Sequence, residues 1–205
     1  MTLLRRNGWA QRAATCANTW RCGVAVRGAF AVRIMSAACV FSLAFALAEA
    51  PAAAQPQPSI ALLDCALLDD NAAYNDAELT RAQLARAAMV SDTLRAQLHE
   101  HVLYRVADNA PARELIASLA ATQNLNACNG CELDVGRKLG VDKVGVCWVQ
   151  KISNLILNIN LRIEDVRSGQ TVFQRSVDIR GNTDVAWRRG ATALVDLVAA
   201  ARGQP

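Results

Sequence analysis

The sequence predicts one α/β (α+β) domain in which helices pack on a mixed β-sheet, and three segments carry this prediction. Between Leu155 and Glu164, apolar and polar side chains alternate, which indicates a strand with one buried face and one exposed face. Ile60–Leu68 is apolar on both faces, as expected of a strand that helices cover on both sides. Leu79–His99 is rich in Ala, Leu, Arg and Gln, which favour a helix.

The elements that follow the first strand are a long helical segment, a short strand and a second helix. Leu79–His99 predicts either one helix or two, because Ser91-Asp92 is able to cap a second, shorter helix. His101–Val106 predicts a short strand. Pro111 suits the first turn of a helix, and the helix that it opens is expected to end near Thr122.

The second half of the domain adds a short helix, three strands and a final helix. Gly140 is expected to end the short helix in a left-handed conformation, and Thr183 or Asn182 to cap the last helix. The predicted order is therefore β-α-β-α-α-β-β-β-α. The segments are a helix at Cys131–Leu139, strands at Lys143–Gln150, Leu155–Glu164 and Thr171–Arg180, and a helix from Asp184 onward.

The segment 1–54 predicts a cleavable signal peptide. Its six arginines end at Arg33, and an uncharged apolar run, Ile34–Leu47, follows. As a helix these 14 residues would span about 21 Å, less than the roughly 30 Å core of a bilayer, so the run is expected to be part of a cleaved leader and not a membrane anchor. No transmembrane segment is expected in the mature chain. Because the arginine-rich front is unusually long, translation is expected to begin near Val24 or Val26.

The predicted cleavage site lies after Ala54. Small residues at Ala52 and Ala54 fit the pockets of signal peptidase, and a polar linker follows at 55–58. The mature protein is then a periplasmic domain at 59–202. Residues 55–205 carry 16 basic and 17 acidic side chains, a net charge of −1, although the whole chain carries +4. Nucleic acid is therefore not an expected partner.

Four cysteines follow the leader, and an even number in an oxidising compartment favours disulfides. Cys128-Asn-Gly-Cys131 predicts a disulfide within the motif, which staples a loop to a helix. The alternative is a redox-active dithiol, because the position of Cys131 at a helix start would lower its pKa. Cys65 and Cys147 are predicted to be buried thiols, with a bond between them open if their two strands are neighbours.

No catalytic, metal or cofactor site is expected from the remaining polar residues. His99 and His101 are two positions apart, so their side chains point in different directions. A c-type haem would need histidine after Cys131, where Glu132 stands. The chain shows no nucleophile elbow, phosphate loop or dinucleotide fingerprint.

The turn into the final helix is the strongest candidate for a recognition surface. One interpretation is turn chemistry alone, in which Asp184 pairs with Arg188 one helical turn away. The other is a recognition corner whose arginines meet a carboxylate on a partner. The turn at Lys151–Asn154 is expected at the opposite end of the sheet. The candidate residues are Arg180, Asn182, Asp184, Arg188 and Arg189.

The element order resembles the small α/β domain at the amino terminus of the Tol-system translocation protein and in curli-export and outer-membrane lipoprotein relatives. Over residues 60–200, and most strongly over 128–189, the chain resembles a family of uncharacterised exported bacterial proteins, a domain of unknown function. That family usually has an aromatic residue where Cys65 stands, so a disulfide of Cys65 would be peculiar to this chain. The matching motifs are Cys128–Cys131, Leu139–Asp142, Val149–Asn154, Asp178–Asp184 and Trp187-Arg188-Arg189.

The resemblance implies a fold and a compartment but no activity, since its relatives act in the bacterial envelope by binding other proteins. The expected function is therefore a periplasmic, non-catalytic binding or accessory module whose partner is another periplasmic or envelope protein. The alternative is a periplasmic thiol-disulfide redox protein that uses Cys128 and Cys131. A small-ligand pocket beside the Cys128 loop is neither indicated nor excluded by the sequence.

Overall fold

The computed structural model describes residues 56–203, in which helices pack on both faces of a six-stranded mixed sheet. This architecture confirms the predicted fold class and, apart from one divided strand, the predicted order. The strands are Ser59–Leu62 (β1), Ala66–Asp69 (β2), Arg105–Val106 (β3), Lys143–Lys151 (β4), Ile156–Asp165 (β5) and Thr171–Arg180 (β6). The helices are Ala77–Glu100 (α1), Arg113–Thr122 (α2), Cys131–Leu139 (α3) and Asp184–Gly203 (α4).

Several predictions fall on the first part of the chain. The signal peptide, its cleavage site after Ala54 and the start near Val24 or Val26 lie outside the described residues. The linker is described only from Pro56. Between residues 56 and 203, no helix combines the length and the apolar composition needed to cross a bilayer.

The sheet has the order β3-β1-β4-β5-β6, and β2 pairs with β4 beyond the end of β1. The pairs β1–β3, β1–β4 and β2–β4 are parallel, whereas β4–β5 and β5–β6 are antiparallel. β4 therefore lies at the centre and changes the sheet from parallel to antiparallel. The carboxyl ends of β2 and β4, the start of β5 and the end of β6 all lie at the same end of the sheet.

The first predicted strand, Ile60–Leu68, is two strands, so the prediction of one continuous strand was wrong. Leu62 pairs with Gly145 and Ala66 pairs with Trp148, which leaves one extra residue on the β1–β2 side, as in a β-bulge. Helix α1 satisfies a backbone group near this bulge, because the Cys65 N–H donates to the Ser91 hydroxyl at 2.8 Å. A bulge depends on such partners from distant parts of the chain, which the local apolar pattern does not reveal.

Two other elements differ in detail from the prediction. α1 is one helix, because the Ser91 hydroxyl donates to the Ala87 carbonyl in the preceding turn and caps no second helix. β3 has only two residues, since 101–104 form a turn in which Val102 has a φ of +57°. Gly140 adopts the predicted left-handed conformation, with a φ of +63°.

The core has two layers, one on each face of the sheet. On one face α1 and α4 cover the apolar side of β5, and Trp187 is fully buried there. Gly190 lets α4 lie close to β5 and β6, because a β-carbon at this position would lie 2.5 Å from Ile179. On the other face α2 and α3 cover β1 and β4 through a smaller cluster that includes Val135, Val144 and Val146.

Candidate functional site

Asn182 organises the predicted recognition corner between β6 and α4. Its Oδ1 accepts hydrogen bonds from the buried indole of Trp187 at 3.1 Å and from Arg86 Nη1 at 3.2 Å. Its Nδ2 donates to Asn154 Oδ1 at 3.3 Å. Thr183 caps the helix, since its hydroxyl accepts from the Ala186 N–H at 3.2 Å. These bonds fix the corner between two helices and a neighbouring turn.

Asp184 pairs with Arg86 and not with Arg188, so the predicted i,i+4 pair was wrong. Arg86 Nε lies 2.7 Å from Asp184 Oδ1 and donates to it. This hydrogen bond is the main reason that the pKa of Asp184 lies below its ordinary value. Arg188 Nη2 instead lies 3.2 Å from the sulfur of Met89 on α1. Sequence reasoning missed Arg86 because it is 98 positions away from Asp184.

The structure brings together only some of the five predicted corner residues. Asn182 and Asp184 share Arg86 as a partner, whereas Arg188 lies along α1. Arg180 and Arg189 are exposed and form no salt bridge within residues 56–203. Two arginines of the corner are therefore available to anionic groups on another molecule.

The turn between β4 and β5 lies beside this corner, so the prediction that placed it at the opposite sheet end was wrong. The Asn154–Asn182 hydrogen bond joins the two turns, and the Gly181 N–H points to the Leu155 carbonyl at 3.5 Å. The antiparallel β4–β5–β6 order requires this, because the end of β4 and the end of β6 flank the start of β5. We call residues 152–156 together with 180–185 the two-turn end.

The cysteine motif lies elsewhere, at the start of α3. A disulfide joins Cys128 to Cys131, whose Cα atoms are 5.7 Å apart. The side chain of Glu132 is 2% exposed, and its Oε2 lies 2.9 Å from the Cys128 sulfur. A thiolate at Cys128 would be repelled by this carboxylate, while the start of α3 would favour a thiolate at Cys131.

Arg162 on β5 lies between two acidic side chains below the motif. Its Nη2 is 2.8 Å from Glu132 Oε1, and its Nε is 2.9 Å from Glu164 Oε1. Burial raises the pKa of Glu164, and the nearby Glu132 raises it further, which outweighs the effect of Arg162. Arg162 is therefore the only cation that forms salt bridges with these two carboxylates among the described residues.

Cys128, Cys131 and Glu132 place three potential metal-ligand atoms within 4.8 Å of one another. Metal ions bind cysteine as the thiolate, and both sulfurs are held in the disulfide. The cluster therefore becomes a set of metal ligands only after reduction.

A second disulfide joins Cys65 to Cys147, with Cα atoms 4.4 Å apart. The sequence favoured buried thiols and left this bond open. The bulge at 63–65 places Cys65 beside the central strand β4, which carries Cys147. The two cysteines therefore lie on neighbouring segments, which was the condition for this bond.

Sequence reasoning also missed a buried ion pair at the end of β2. Lys151 Nζ lies 3.0 and 2.9 Å from the two carboxylate oxygens of Asp69. Burial alone would raise the pKa of Asp69, but hydrogen bonds from Lys151, Asn75 and the Asn71 N–H together lower it below its ordinary value. Lys151 was predicted to begin the turn at 151–154, where a lysine is normally exposed, but it is the last residue of β4.

The sequence profile of DUF3280, described as "Protein of unknown function (DUF2380)", matches residues 58–197. No curated protein matches the chain.

Several solved structures are similar in fold. The lipoprotein GNA1162 from Neisseria meningitidis is 21% identical, with a TM-score of 0.44, over 69% of this chain and 96% of that one. LpoB from Escherichia coli is 11% identical, with a TM-score of 0.45, over 61% of this chain and 57% of that one. TolB from Acinetobacter baumannii is 13% identical, with a TM-score of 0.41, over 72% of this chain and 28% of that one.

Proposed function

Since the chain belongs to the DUF3280 family, whose function is unknown, we propose its role from its own surface: a non-catalytic binding module of the bacterial cell envelope that docks another envelope protein at the two-turn end. The observation that carries this proposal is the combination, at one end of the sheet, of exposed apolar side chains, arginines without a salt bridge in the described residues and hydrogen bonds that join the two turns.

The apolar side chains at the two-turn end are unusually exposed. Leu155 is 72% exposed, Ile156 is 53% exposed and Val185 is 58% exposed, and Ile152 is 46% exposed in the same turn. Single exposed apolar residues are ordinary, but several on two joined turns are typical of a surface that another protein covers. Burying such side chains on association supplies about 25 cal/mol for each Å² of apolar area.

The hydrogen bonds of Asn182 hold these side chains in place before a partner arrives. The side-chain amide of Asn182 forms hydrogen bonds with Asn154 in the neighbouring turn, Trp187 in the core and Arg86 on α1. A surface that is ordered in advance loses less conformational entropy when it binds. The corner therefore presents the apolar side chains in a fixed arrangement.

The charges at this end favour an acidic partner. Arg180 at this end, and Arg189 in the second turn of α4, have no salt bridge within the described part of the chain, whereas the carboxylate of Asp184 is already paired with Arg86. Arginine binds carboxylates with two parallel hydrogen bonds, so a glutamate or aspartate on the partner fits best.

Site-specific photo-crosslinking in the producing bacterium tests this docking end. A photoreactive amino acid at Leu155 is expected to give a defined adduct, which Arg180→Glu with Arg189→Glu abolishes. The matched control is the same amino acid at Val102, which is 70% exposed but precedes β3 at the other end of the sheet. Equal adducts from Leu155 and Val102, or none from Leu155, would contradict the proposal.

We place this function in the periplasm, after removal of residues 1–54. Two disulfides within residues 56–203 support an oxidising compartment, where such bonds persist. Intact-mass spectrometry of the protein released by osmotic shock is expected to show a chain that begins at Gln55. A full-length chain in the cytosol would contradict the proposed compartment.

We propose a structural role for the Cys128–Cys131 disulfide. The carboxylate of Glu132 beside the Cys128 sulfur disfavours the thiolate on which exchange chemistry depends. Trapping of free thiols by alkylation is expected to find this pair fully oxidised in cells and resistant to mild reductant. A substantial reduced fraction would instead support the thiol-disulfide alternative.

A further inference from the structure

One edge of β2 is not paired with any strand of the described residues. β2 pairs with β4 on one side. On the other side, β3 pairs with β1 but does not extend past the bulge to β2. The Asp70 N–H donates to the Lys151 carbonyl at 3.1 Å, so the even-numbered residues direct their backbone groups toward β4. The backbone N–H and C=O of Leu67 and Asp69 therefore face outward, and no strand within residues 56–203 pairs with them.

A groove of about 450 Å³ runs beside this free edge, between β2 and the first turns of α1. Its walls are partly apolar, because Leu67 packs on the core and Leu84 is 57% exposed. Asp69 is neutralised by Lys151, so it adds little net charge. The groove is lined by residues that include Leu67, Asp69, Asp70, Thr80, Gln83 and Leu84.

Gln83 supplies a hydrogen-bond donor that has no partner among the described residues. Its side chain is fully buried, and its Oε1 accepts from Asn75 Nδ2 at 3.3 Å. Its Nε2 makes no hydrogen bond within the described part of the chain. A buried donor without an acceptor costs about 1–3 kcal/mol, so buried donors are normally satisfied. Because Gln83 lines the groove, an oxygen atom of a bound molecule is a suitable acceptor.

We propose that this groove binds an extended peptide segment of a partner protein, which adds a strand to the free edge of β2. The backbone groups of Leu67 and Asp69 pair with the peptide backbone, as in β-strand addition. An apolar side chain of the peptide lies against Leu67 and Leu84, and a peptide oxygen accepts from Gln83. The inference goes beyond the proposed docking end, with which the groove shares no residue.

The charge of the groove specifies the peptide further. Asp70 is exposed at the end of the free edge and forms no salt bridge within residues 56–203. A lysine or arginine at the corresponding end of the peptide would complement it. The chain's own front segment is a poorer occupant, because cleavage after Ala54 would leave only Gln55 ahead of the described residues.

Hydrogen exchange measured by NMR with a synthetic probe tests the proposal. The probe is a capped peptide of alternating valine and threonine with one terminal lysine, synthesised in both chain directions. One direction is expected to slow exchange of the Leu67 and Asp69 amides at least tenfold, while the Asp70 amide, already bonded to Lys151, changes little. No protection of Leu67 and Asp69 by either peptide would overturn the proposal.

Two controls separate strand addition from nonspecific adsorption. The same peptide with alternate backbone amides N-methylated keeps its side chains but cannot pair, and is expected not to protect β2. Gln83→Met keeps the side-chain length and is expected to weaken binding about fivefold, as the loss of one neutral hydrogen bond does. Equal binding of the N-methylated peptide would overturn strand addition.

The remaining occupant is a second copy of this chain. Protection of Leu67 and Asp69 that rises with protein concentration, in the absence of peptide, would assign the edge to self-association and overturn the partner-peptide proposal. Exchange that is independent of protein concentration supports an edge kept free for a partner. If neither peptide protects β2, the peptide groove is refuted but the docking end is not. The crosslinking at Leu155 tests that end separately, because the two surfaces share no residue.

Discussion

Lys151 and Asp69 form a salt bridge that is almost completely removed from solvent, with side chains 2% and 4% exposed. Asn75 Nδ2 donates to the same carboxylate at 2.6 Å, and the Asn71 N–H donates to it at 2.9 Å. The pair therefore connects the end of β4, the end of β2 and the segment that leads into α1. Removing one partner would leave the other charge buried without compensation.

Lys151→Met is predicted to be strongly destabilising. The isolated Asp69 carboxylate would cost about 3–5 kcal/mol in the free energy of unfolding, measured by urea denaturation. The double variant Asp69→Asn with Lys151→Met keeps similar shapes without charge and is expected to recover most of this loss. If the double variant were as unstable as the sum of its single variants, the two side chains would not be coupled.

The two disulfides are predicted to contribute unequally to stability. Cys65 and Cys147 are 82 positions apart, whereas Cys128 and Cys131 are 3 apart. In the chain-entropy description a longer closed loop stabilises more, so the paired alanine variants are expected to lose about 3–5 and about 1–2 kcal/mol respectively. Urea denaturation of both variants checks this order, and the reverse order would contradict it.

Glu164→Gln is predicted to stabilise the protein at alkaline pH. The pKa of Glu164 lies above its ordinary value of 4.5 in the folded protein, because the side chain is buried and close to Glu132. The folded protein therefore binds this proton more tightly than the unfolded chain, and stability falls as pH rises through the raised pKa. Glutamine does not titrate. The variant is therefore expected to have the higher free energy of unfolding at about pH 8, and the difference should vanish at about pH 4.

Urea unfolding of both proteins at the two pH values measures this difference. The control is Glu114→Gln, since Glu114 is exposed in the first turn of α2 and has no salt bridge in the described residues. An equal effect of Glu164→Gln at both pH values would show that the carboxyl titrates normally.

Local patterns predicted most elements because their causes are local. Alternation in β5 follows from one buried face, and Gly140 ends α3 through its own left-handed conformation. The bulge at 63–65 was missed because a side chain of α1 satisfies one of its backbone groups. Sequence reasoning identified the turn at 180–184 as a candidate but not its contact with Arg86, which only the packing of α1 against α4 brings to Asp184.

Val102→Asn is predicted to stabilise the protein. Val102 has a φ of +57°, a left-handed conformation that costs a β-branched residue at least about 1–2 kcal/mol. Its side chain is 70% exposed, so little packing is lost, and asparagine adopts this conformation more readily. A gain of about 1 kcal/mol, which raises Tm by roughly 2–4 °C, is expected in a calorimetric scan.

The matched control for this prediction is Val172→Asn. Val172 is 50% exposed, but it lies in the extended strand β6, where asparagine is less favourable than valine. Only the variant at 102 should therefore raise Tm. A rise in Tm for both variants would point to a general surface effect and not to relief of backbone strain.

Glu132→Gln is predicted to make the Cys128–Cys131 disulfide more reactive. The Glu132 carboxylate lies 2.9 Å from the Cys128 sulfur, and glutamine at this position removes its negative charge. Without this neighbouring negative charge, a thiolate at Cys128 should be repelled less strongly. Because a better leaving thiolate is released faster, reduction by glutathione should accelerate.

The rate of reduction by glutathione, followed by alkylation and mass spectrometry, measures this effect. Glu114→Gln removes an exposed carboxylate in the first turn of α2 and is expected to leave the rate unchanged. Unfolding at the same glutathione concentration must be slower than reduction, so that the rate reports the folded protein. An unchanged rate for Glu132→Gln would mean that the carboxylate does not control the disulfide.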